Sequence, residues 1–309
     1  MRANRVHRFG PPEVIEVQEI ERPVPGPGEA LVRVQAASVG PWDGWIRAGK
    51  SVLPQPLPLT PGSDIAGVVE ATGACVTSVR PGDEVFGVTN ARFTGGYAEY
   101  AVASAGMIAR KPRRLAFEAA AAAPVVAVTA LQMLFDHARV ASGQTVLVHG
   151  GGGSVGACAV QLAREAGARV IATTPARDVD YVRSLGAAEV LDADRVAFDQ
   201  VVGGVDAVLD TLGGEVLRKS FGVVKPGGAV VSAVSPPDPG EAKRRGIRAS
   251  FMLAAVTTVQ LWRVSVLMDT GELKVRVGAV LPLTEGRRAH EMLEGVRVRP
   301  PGKIVLRNG

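Results

Sequence analysis

Length and composition already limit what this chain can be. It has 309 residues, which suggests two domains at roughly 150 residues each. Hydrophobic residues make up 47% and charged residues 21%, so a packed globular fold is expected rather than disorder. The net charge of +5 comes from scattered basic residues, which argues against a nucleic-acid-binding surface, and two cysteines cannot build a disulfide framework.

Neither of the two apolar stretches predicts a membrane-spanning helix. Residues 119–134 are mostly weakly apolar alanine and valine and are interrupted by Pro124, while Phe251–Met268 contains Arg263 and several polar residues. A span requires about 20 predominantly apolar residues. Because the N-terminus also lacks the apolar region of a secretory signal, we expect a cytoplasmic protein.

The first part of the chain, up to about residue 115, is predicted to be rich in strands. Ala30–Ala37 alternates apolar and polar residues as a half-buried strand does, and Asp64–Ala71 has a short apolar strand pattern. Glu84–Val88 and Tyr97–Val102 each follow a glycine-containing turn. Many short strands at close spacing indicate a β-rich domain.

Beyond Glu118 the pattern changes to alternating strands and helices. An Ala-rich helix leads to Pro124, and a second helix is predicted at Val128–Ala138. The predicted strands that follow are Thr145–His149, Arg169–Thr173, Glu189–Leu191, Asp206–Asp210 and Ala229–Ala233, with helices at Val155–Glu165 and Asp178–Ser184 among them. This alternation predicts an α/β fold with a parallel sheet covered on both faces.

The C-terminal segment is predicted to rejoin the first domain. Ser235–Gly246 is expected to form a loop, and strand patterns then return at Lys274–Leu281 and Lys303–Leu306, separated by a helix at Glu285–Leu293. We therefore predict one domain formed by residues 1–123 and 272–309, and a second formed by residues 124–271.

A glycine-rich turn follows the first of the alternating strands and opens a helix. Gly151, Gly153 and Gly156 satisfy the pattern G-x-G-x-x-G in the strand–turn–helix context that the motif requires. Glycines let the backbone approach a pyrophosphate, and the amides of Ser154 and Val155 at the helix start would hold the anion. A side chain at Gly153 is expected to stand between backbone and phosphate or to force an unfavourable dihedral angle. A flexible surface loop is the alternative.

The end of the next strand favours NADP(H) over NAD(H). NAD sites place an Asp or Glu about 20 residues beyond the glycine loop to bind the ribose 2′-hydroxyl. The stretch from Ile171 to Thr173 carries no carboxylate, and Arg177 lies just beyond it. Because a guanidinium attracts a 2′-phosphate, NADPH is the expected cofactor, although Asp178 and Asp180 weaken the positive field. The alternative is a solvated Arg177 at a helix start.

Several segments in a fixed order resemble one known family. They are Ala37–Asp43 (ASVGPWD), Pro61–Val69 (PGSDIAGVV), Gly95–Tyr100 (GGYAEY), Val128–Leu131 (VTAL), the glycine loop, Asp210–Gly214 (DTLGG) and Gly302–Leu306 (GKIVL). On these segments the chain resembles zinc-independent medium-chain dehydrogenases/reductases of the quinone oxidoreductase (zeta-crystallin-like) type over nearly its whole length. The resemblance implies a GroES-like β-rich domain joined to a Rossmann domain with a doubly wound parallel sheet.

The resemblance also implies which further residues contact the cofactor. Thr129 is expected near the nicotinamide, and Thr211, Leu212 and Val234 are expected to wall the cofactor at strand ends. Lys303, in the closing Gly-Lys strand, is expected to reach toward it. For Thr129 a helix-interior hydroxyl is the alternative, and for Lys303 a surface cation.

Compared with the zinc-dependent relatives, the chain departs at the metal ligands. Gly40 and Pro41 stand near the position of a ligand Cys, and Ser63 stands where the relatives have the His of Gly-His-Glu. A serine hydroxyl does not replace a zinc-binding imidazole well. With the histidines scattered, His149 is interpreted as structural, and no metal site is expected.

Two residues are candidates for the substrate side of the site. Asp43 matches the family pattern, with a turn or cap residue as its alternative role. Trp45 stands where similar quinone reductases have Tyr; its indole can stack on a flat substrate but has no phenolic proton to donate. We therefore expect Trp45 to line the pocket, with a core role as the alternative.

Without a metal to polarise a simple ketone, the site suits acceptors that are already electrophilic. The favoured function is NADPH-dependent hydride transfer to a quinone or an α,β-unsaturated carbonyl. Two alternatives remain open: an enoyl-thioester reductase of polyketide or fatty-acyl metabolism, and a non-catalytic NADPH-binding protein.

Phe251–Val256 (FMLAAV) is an apolar strand candidate whose exposed edge predicts a homodimer.

Overall fold

The computed structural model describes residues Met1–Gly309, which fall into two compact units. The first unit comprises Met1–Val125, Val256–Gly271 and Val275–Gly309. The second comprises Val126–Ala255 and Glu272–Lys274. Each unit contains its own sheet, so the β-rich first part and the alternating second part of the sequence correspond to separate cores.

From residue 1 to 123 the chain forms seven strands and two helices. They are β1 (Arg2–Val6), β2 (Ile15–Glu19), β3 (Glu29–Val39), α1 (Pro41–Arg47), β4 (Asp64–Thr72), β5 (Glu84–Val88), β6 (Tyr100–Ser104), β7 (Ile108–Arg110) and α2 (Phe117–Ala121), with 3-10 turns at Pro12–Val14 and Ala105–Met107. The predicted strands are present, with ends shifted by a few residues because ladder pairing sets where a strand stops.

The remainder alternates strands and helices before a last strand pair. Its elements are α3 (Pro124–Leu131), a π-helical turn at Gln132–Ala138, β8 (Thr145–His149), α4 (Ser154–Glu165), β9 (Arg169–Thr174), α5 (Val179–Ser184), β10 (Glu189–Asp192), α6 (Phe198–Val201), β11 (Val205–Asp210), α7 (Gly214–Ser220), β12 (Val224–Ser232), α8 (Pro239–Arg245), β13 (Arg248–Phe251), α9 (Thr258–Thr270), β14 (Val277–Pro282), α10 (Gly286–Leu293) and β15 (Lys303–Arg307), with 3-10 turns at Ala176–Asp178 and Leu283–Glu285. No helix has both the length and the hydropathy needed to cross a membrane.

The first unit is built on a mainly antiparallel sheet in the order β14-β15-β3-β4-β5-β7, with β6 also paired to β3. The C-terminal strand β15 pairs with β3, so the end of the chain rejoins the N-terminal part as the sequence predicts. Alternate residues of β3, such as Val32 and Val34, pack in one core with Ile65 and Tyr97. The GroES-like expectation is confirmed by this architecture.

The second unit is built on a six-stranded parallel sheet in the order β10-β9-β8-β11-β12-β13. The chain runs outward from β8 to β10 and then returns to lay β11 on the other side of β8. Ligands of doubly wound sheets bind where the strand order reverses in this way, at the carboxyl ends of the strands. The predicted Rossmann fold is confirmed, and the reversal places the β8 and β11 ends side by side.

Two local predictions at the end of the second unit are wrong. Ser235–Gly246 contains helix α8, because Asp238 caps it by accepting hydrogen bonds from the amides of Gly240 (2.7 Å) and Glu241 (3.1 Å). The predicted strand Phe251–Val256 is instead β13 at Arg248–Phe251. Pairing ends at Phe251 because its partner strand β12 ends at Ser232, the residue opposite it.

Helix α9 belongs to the first unit, whereas the predicted boundary assigns it to the second. Thr258 and Ser265 of α9 donate hydrogen bonds from their hydroxyls to the carbonyl oxygens of Ile108 (2.8 Å) and Arg110 (3.2 Å) on β7. These carbonyls lie on the edge strand of the first sheet, where they need a donor. Because α9 lies about 150 residues from β7 in the sequence, the sequence pattern does not predict this contact.

Candidate functional site

The glycine turn joins β8 to α4 and needs glycine at two particular places. Gly150 has a φ of +73°, which L-side chains rarely adopt. At Gly156 the requirement is close approach, since a β-carbon there would lie 2.1 Å from the carbonyl oxygen of Gly150. The small residue at this position is what lets the start of α4 pack directly on the turn.

Gly153 stands at the open side of the same turn. Its φ of −75° and ψ of 163° suit any residue, so the expected dihedral penalty for a side chain here is wrong. An added β-carbon would meet one heavy atom within 4 Å, the oxygen of Gly150 at 3.2 Å. The remaining space lies outside the protein, beside the first amides of the 12-residue helix α4, which no side chain caps.

The ends of β11 and β12 adjoin this turn through a buried carboxylate. Asp210 accepts hydrogen bonds from the amides of Leu212 (3.1 Å) and Gly213 (2.9 Å) and from the hydroxyl of Ser232 (2.7 Å). Thr211 donates its hydroxyl to the carbonyl oxygen of His149 at 2.8 Å, at the base of the glycine turn. Asp210 therefore holds Thr211 and Leu212 beside the turn, while their contact with a cofactor remains a prediction.

Val234 follows β12 in the same network. Its amide donates to the Ser232 hydroxyl at 3.1 Å, and its side chain is among the exposed apolar ones. Thr129 lies within α3 and is buried. Contact of either residue with a cofactor remains a prediction.

His149 has the buried position that its structural interpretation requires. Its Nδ1 lies 2.9 Å from the Thr173 hydroxyl and its Nε2 lies 3.1 Å from the Ser220 hydroxyl. Because Ser220 already donates to the Val216 carbonyl (2.7 Å), its oxygen accepts from Nε2, which leaves Nδ1 to accept from Thr173. Burial lowers the pKa of His149 to about 4, opposed by the Asp210 carboxylate. The hydroxyl of Thr173 is thus engaged inside the protein.

Arg177 lies in the 3-10 turn after β9, and its side chain is 74% exposed. Its Nε is 3.5 Å from Oδ2 of the buried Asp178. Asp178 itself lies against the glycine turn, since a β-carbon on Gly152 would stand 3.0 Å from its Cγ. The carboxylate of Asp178 therefore lies beside the glycine turn, although the end of β9 itself carries no carboxylate. Because Asp178 follows the end of β9 by four residues, the sequence pattern alone does not show that it reaches the turn.

In the first unit, Asp43 is buried and caps the short helix α1. It accepts hydrogen bonds from the amide of Gly40 at 2.8 Å and from the phenol of Tyr97 at 3.0 Å. Burial raises the pKa of Asp43 to about 7, although the Gly40 hydrogen bond and the charge of Lys303 act in the opposite direction. The structure favours the capping role of Asp43, whereas Trp45 on the same helix is 50% exposed.

The side chain of Trp42 lies between Gly40 and Ser63, the two positions where the zinc-dependent relatives carry metal ligands. A β-carbon on Gly40 would lie 2.4 Å from ring carbons of Trp42, and the Trp42 Nε1 donates to the Ser63 hydroxyl at 3.0 Å. Nowhere does the structure group three His, Cys, Asp or Glu side chains that could hold a metal ion. These residues do not fit a zinc ion, because the ligand types are missing and Trp42 fills the space between them.

Lys303 is buried beside this indole and is not the surface cation of the alternative interpretation. Its Nζ lies 4.7 Å from the centroid of the Trp42 ring and 3.9 Å from Oδ2 of Asp64. Burial raises the pKa of Asp64 to about 6, and the charge of Lys303 opposes that rise. The first unit therefore encloses two carboxylates with a lysine ammonium as the nearby cation.

Comparisons with known proteins agree with both units. A family model described as an alcohol dehydrogenase GroES-like domain matches residues 26–113, and one described as a zinc-binding dehydrogenase matches residues 185–306. The quinone oxidoreductase of Pongo abelii is 34% identical over 99% of this chain and 97% of its own. A 2-methylene-furan-3-one reductase of Solanum lycopersicum is 36% identical over 68% of this chain and 56% of its own.

Solved structures extend the likeness to the whole fold. The quinone oxidoreductase from Coxiella burnetii has a TM-score of 0.92 at 33% identity, covering 100% of this chain and 99% of its own. A mycobacterial protein solved in complex with NADPH has a TM-score of 0.87 at 32% identity, covering 99% of this chain and 100% of its own. A structure described as an NAD-dependent alcohol dehydrogenase has a TM-score of 0.89 at 33% identity, with both chains covered completely.

Proposed function

The chain belongs to the quinone oxidoreductase family of the medium-chain dehydrogenases/reductases, and from that premise we propose that it transfers a hydride from NADPH to a quinone or an α,β-unsaturated carbonyl without a metal. Its family is one of pyridine-nucleotide-binding oxidoreductases. The proposal concerns the reduced cofactor, the class of acceptor and the independence from zinc.

The glycine turn is the observation that carries the proposal. Gly153 leaves open space beside the uncapped amides of Ser154, Val155 and Gly156, which is the arrangement that takes a pyrophosphate. Asp210 holds the neighbouring strand ends so that Thr211 and Leu212 stay beside the turn. A bound nicotinamide supplies the hydride, and the protein binds and orients it.

Metal independence is supported by the first unit. Gly40 and Ser63 offer neither a thiolate nor an imidazole, and Trp42 occupies the space between them. Acceptors whose own conjugation makes them electrophilic suit a site without a Lewis acid. The half-exposed indole of Trp45 offers a flat apolar face for such an acceptor. Elemental analysis is expected to find no stoichiometric zinc in active protein, and chelators are expected not to inhibit.

NADPH is proposed as the cofactor because no carboxylate ends β9 and the exposed Arg177 lies just beyond it. The NADPH complex of a similar mycobacterial protein agrees with this choice. The residues proposed to contact the cofactor, in addition to the glycine turn, are Thr129, Thr173, Val234 and Lys303. Of these, Thr129, Thr173 and Lys303 are buried and would act from within the protein.

A turnover screen tests the function directly. NADPH oxidation is measured with quinones, enones and enoyl thioesters, using wild type and Gly153→Val as the matched control. We expect turnover with quinones or enones that the variant lacks. Turnover confined to enoyl thioesters would establish the acyl reductase alternative, and cofactor binding without any turnover would establish a non-catalytic protein.

We also propose a homodimer. Strand β13 lies at the edge of the parallel sheet and pairs only with β12 within it, so one row of its backbone groups is available to a second copy.

A further inference from the structure

A cavity of about 250 Å³ lies in the second unit beside the edge strand β13. It is bounded by the end of the π-helical turn, by residues 229–231 of β12 and by residues 248–250 of β13. In the sheet order β13 is three strand spacings from β8, which is about 14 Å at the usual distance between neighbouring strands. The cavity is therefore separate from the glycine turn at the end of β8.

The guanidinium of Arg248 is fixed beside this cavity by the end of the π-helical turn. Its Nη1 donates to the carbonyl oxygen of His137 at 3.1 Å, and its Nη2 donates to that of Ala138 at 2.9 Å. Carbonyl groups at a helix end lack partners within the helix, so they hold the arginine without neutralising its charge. Because a guanidinium has further N–H donors, Arg248 can bind a ligand from this fixed position at a smaller cost in conformational entropy.

Arg139 brings a second guanidinium to the cavity. Neither Arg139 nor Arg248 forms an ion pair with a carboxylate of the chain. Asp136 is the one carboxylate that lines the cavity, so two guanidinium charges are opposed by a single negative charge. The electrostatic potential of the cavity therefore favours an anion over a cation.

His137 and Ser250 add neutral hydrogen-bonding groups to the same lining. The Nδ1 of His137 lies 3.1 Å from the hydroxyl of Ser250. When Nδ1 accepts that hydroxyl proton, Nε2 of the neutral ring carries the hydrogen and can donate it to a ligand. Guanidinium groups together with such donors are the groups that bind phosphate and carboxylate oxygens in proteins. Pockets for drug-sized molecules hold about 300–1,000 Å³, so a cavity of this size suits a small ligand.

We propose that this cavity is a binding site for a small anion, a phosphate or a carboxylate, held by the guanidinium groups of Arg139 and Arg248. The site goes beyond the proposed redox function, because none of its residues belongs to the proposed nucleotide or acceptor site. It is formed by side chains of β13, whereas the proposed homodimer would use the free backbone edge of that strand.

The experiment follows binding at the cavity itself. Inorganic phosphate and malonate are titrated into the wild-type protein at constant ionic strength, and the imidazole signals of His137 are followed by NMR. These signals are identified by their loss in His137→Gln, and they distinguish this site from phosphate bound at the glycine turn. We expect the His137 signals to saturate with at least one of the two anions, with a dissociation constant below about 5 mM.

Two substitutions change the charge of the cavity in opposite directions. Arg139 has a φ of +57°, and asparagine tolerates this left-handed conformation, so Arg139→Asn removes the charge without new backbone strain. It is expected to weaken binding about tenfold or more, through the loss of a charge-assisted hydrogen bond. Asp136→Asn removes the opposing charge and is expected to tighten binding about threefold.

The matched control is Arg113→Gln, which removes an exposed arginine of the first unit and should leave the dissociation constant within about twofold. Circular dichroism checks that each variant is folded.

Preference for phosphate or for malonate identifies the group that the site takes, and either preference supports the proposal. His137 signals that do not respond to about 20 mM of either anion would overturn it. Wild-type affinity in folded Arg139→Asn, or an equal loss of affinity in Arg113→Gln, would also contradict it. If Arg139→Asn does not fold, Asp136→Asn decides, since unchanged or weaker binding in that variant is incompatible with an anion site.

Discussion

The glycine turn predicts opposite consequences for two substitutions only three positions apart. At Gly156 a β-carbon would lie 2.1 Å from the Gly150 oxygen, so α4 would have to move 1.3 Å to reach an ordinary contact of 3.4 Å. Both sides of that contact are backbone and cannot rotate away. Overpacking of this kind costs about 1–3 kcal/mol, so Gly156→Ala is expected to lower the free energy of unfolding by about 2 kcal/mol.

Gly153→Val is expected to leave the fold nearly unchanged and to abolish tight nucleotide binding. Its β-carbon meets the Gly150 oxygen at 3.2 Å, a contact that relaxes with a shift of a few tenths of an ångström, and its φ of −75° is unstrained. The branched side chain then stands in front of the first amides of α4. We expect NADPH affinity to fall more than tenfold, about 1.4 kcal/mol.

Urea denaturation followed by circular dichroism, together with a cofactor titration, separates the two effects. Gly203→Ala serves as the control, since a β-carbon there meets nothing within 4 Å and neither property should change. A folded Gly153→Val variant with wild-type affinity would remove this turn from the nucleotide site. A Gly156→Ala variant as stable as wild type would refute the argument from close approach.

Three further predictions concern buried charges and assembly. Lys303→Met leaves the buried carboxyl groups of Asp64 and Asp43 without their nearby cation. Because their folded pKa values of about 6 and about 7 are raised above those of the unfolded chain, the stability that these groups contribute is lost as pH rises. Urea titrations should therefore show that the variant loses about 3 kcal/mol of unfolding free energy at pH 8 and much less at pH 5. His149 has a folded pKa of about 4, below its unfolded value of 6.5, so the stability that it contributes is lost as pH falls. In the His149→Gln variant the unfolding free energy should therefore decline by about 3 kcal/mol less between pH 7 and pH 4 than in wild type. An unchanged dependence of stability on pH would contradict this. Light scattering at micromolar concentration should give twice the 32.1 kDa mass of one chain, and a monomer would refute the β13 interface.

Local patterns were sufficient for those parts of the fold that local chemistry controls. Alternation predicts β3, buried apolar runs predict β8 and β11, and glycine stops predict the end of α4, because each depends on residues close in sequence. The glycine turn follows from the same rule, since strand, turn and helix are contiguous. Helix α8 was missed where Pro and Gly suggested a loop, although its Asp238 cap was visible in the sequence.

What the sequence by itself determined is therefore the two-part architecture, the glycine turn between β8 and α4, and the lack of zinc-ligand residues at Gly40 and Ser63. Tertiary structure alone decided that Trp42 fills the space between those two positions, that Lys303 is the buried cation beside Asp64, and that Asp178 lies against the turn. The contacts of Trp42 with Ser63, of Lys303 with Asp64 and of Asp178 with Gly152 each join segments that are far apart in sequence. Their distances depend on how the sheets and helices pack, and a linear pattern carries no information about that packing.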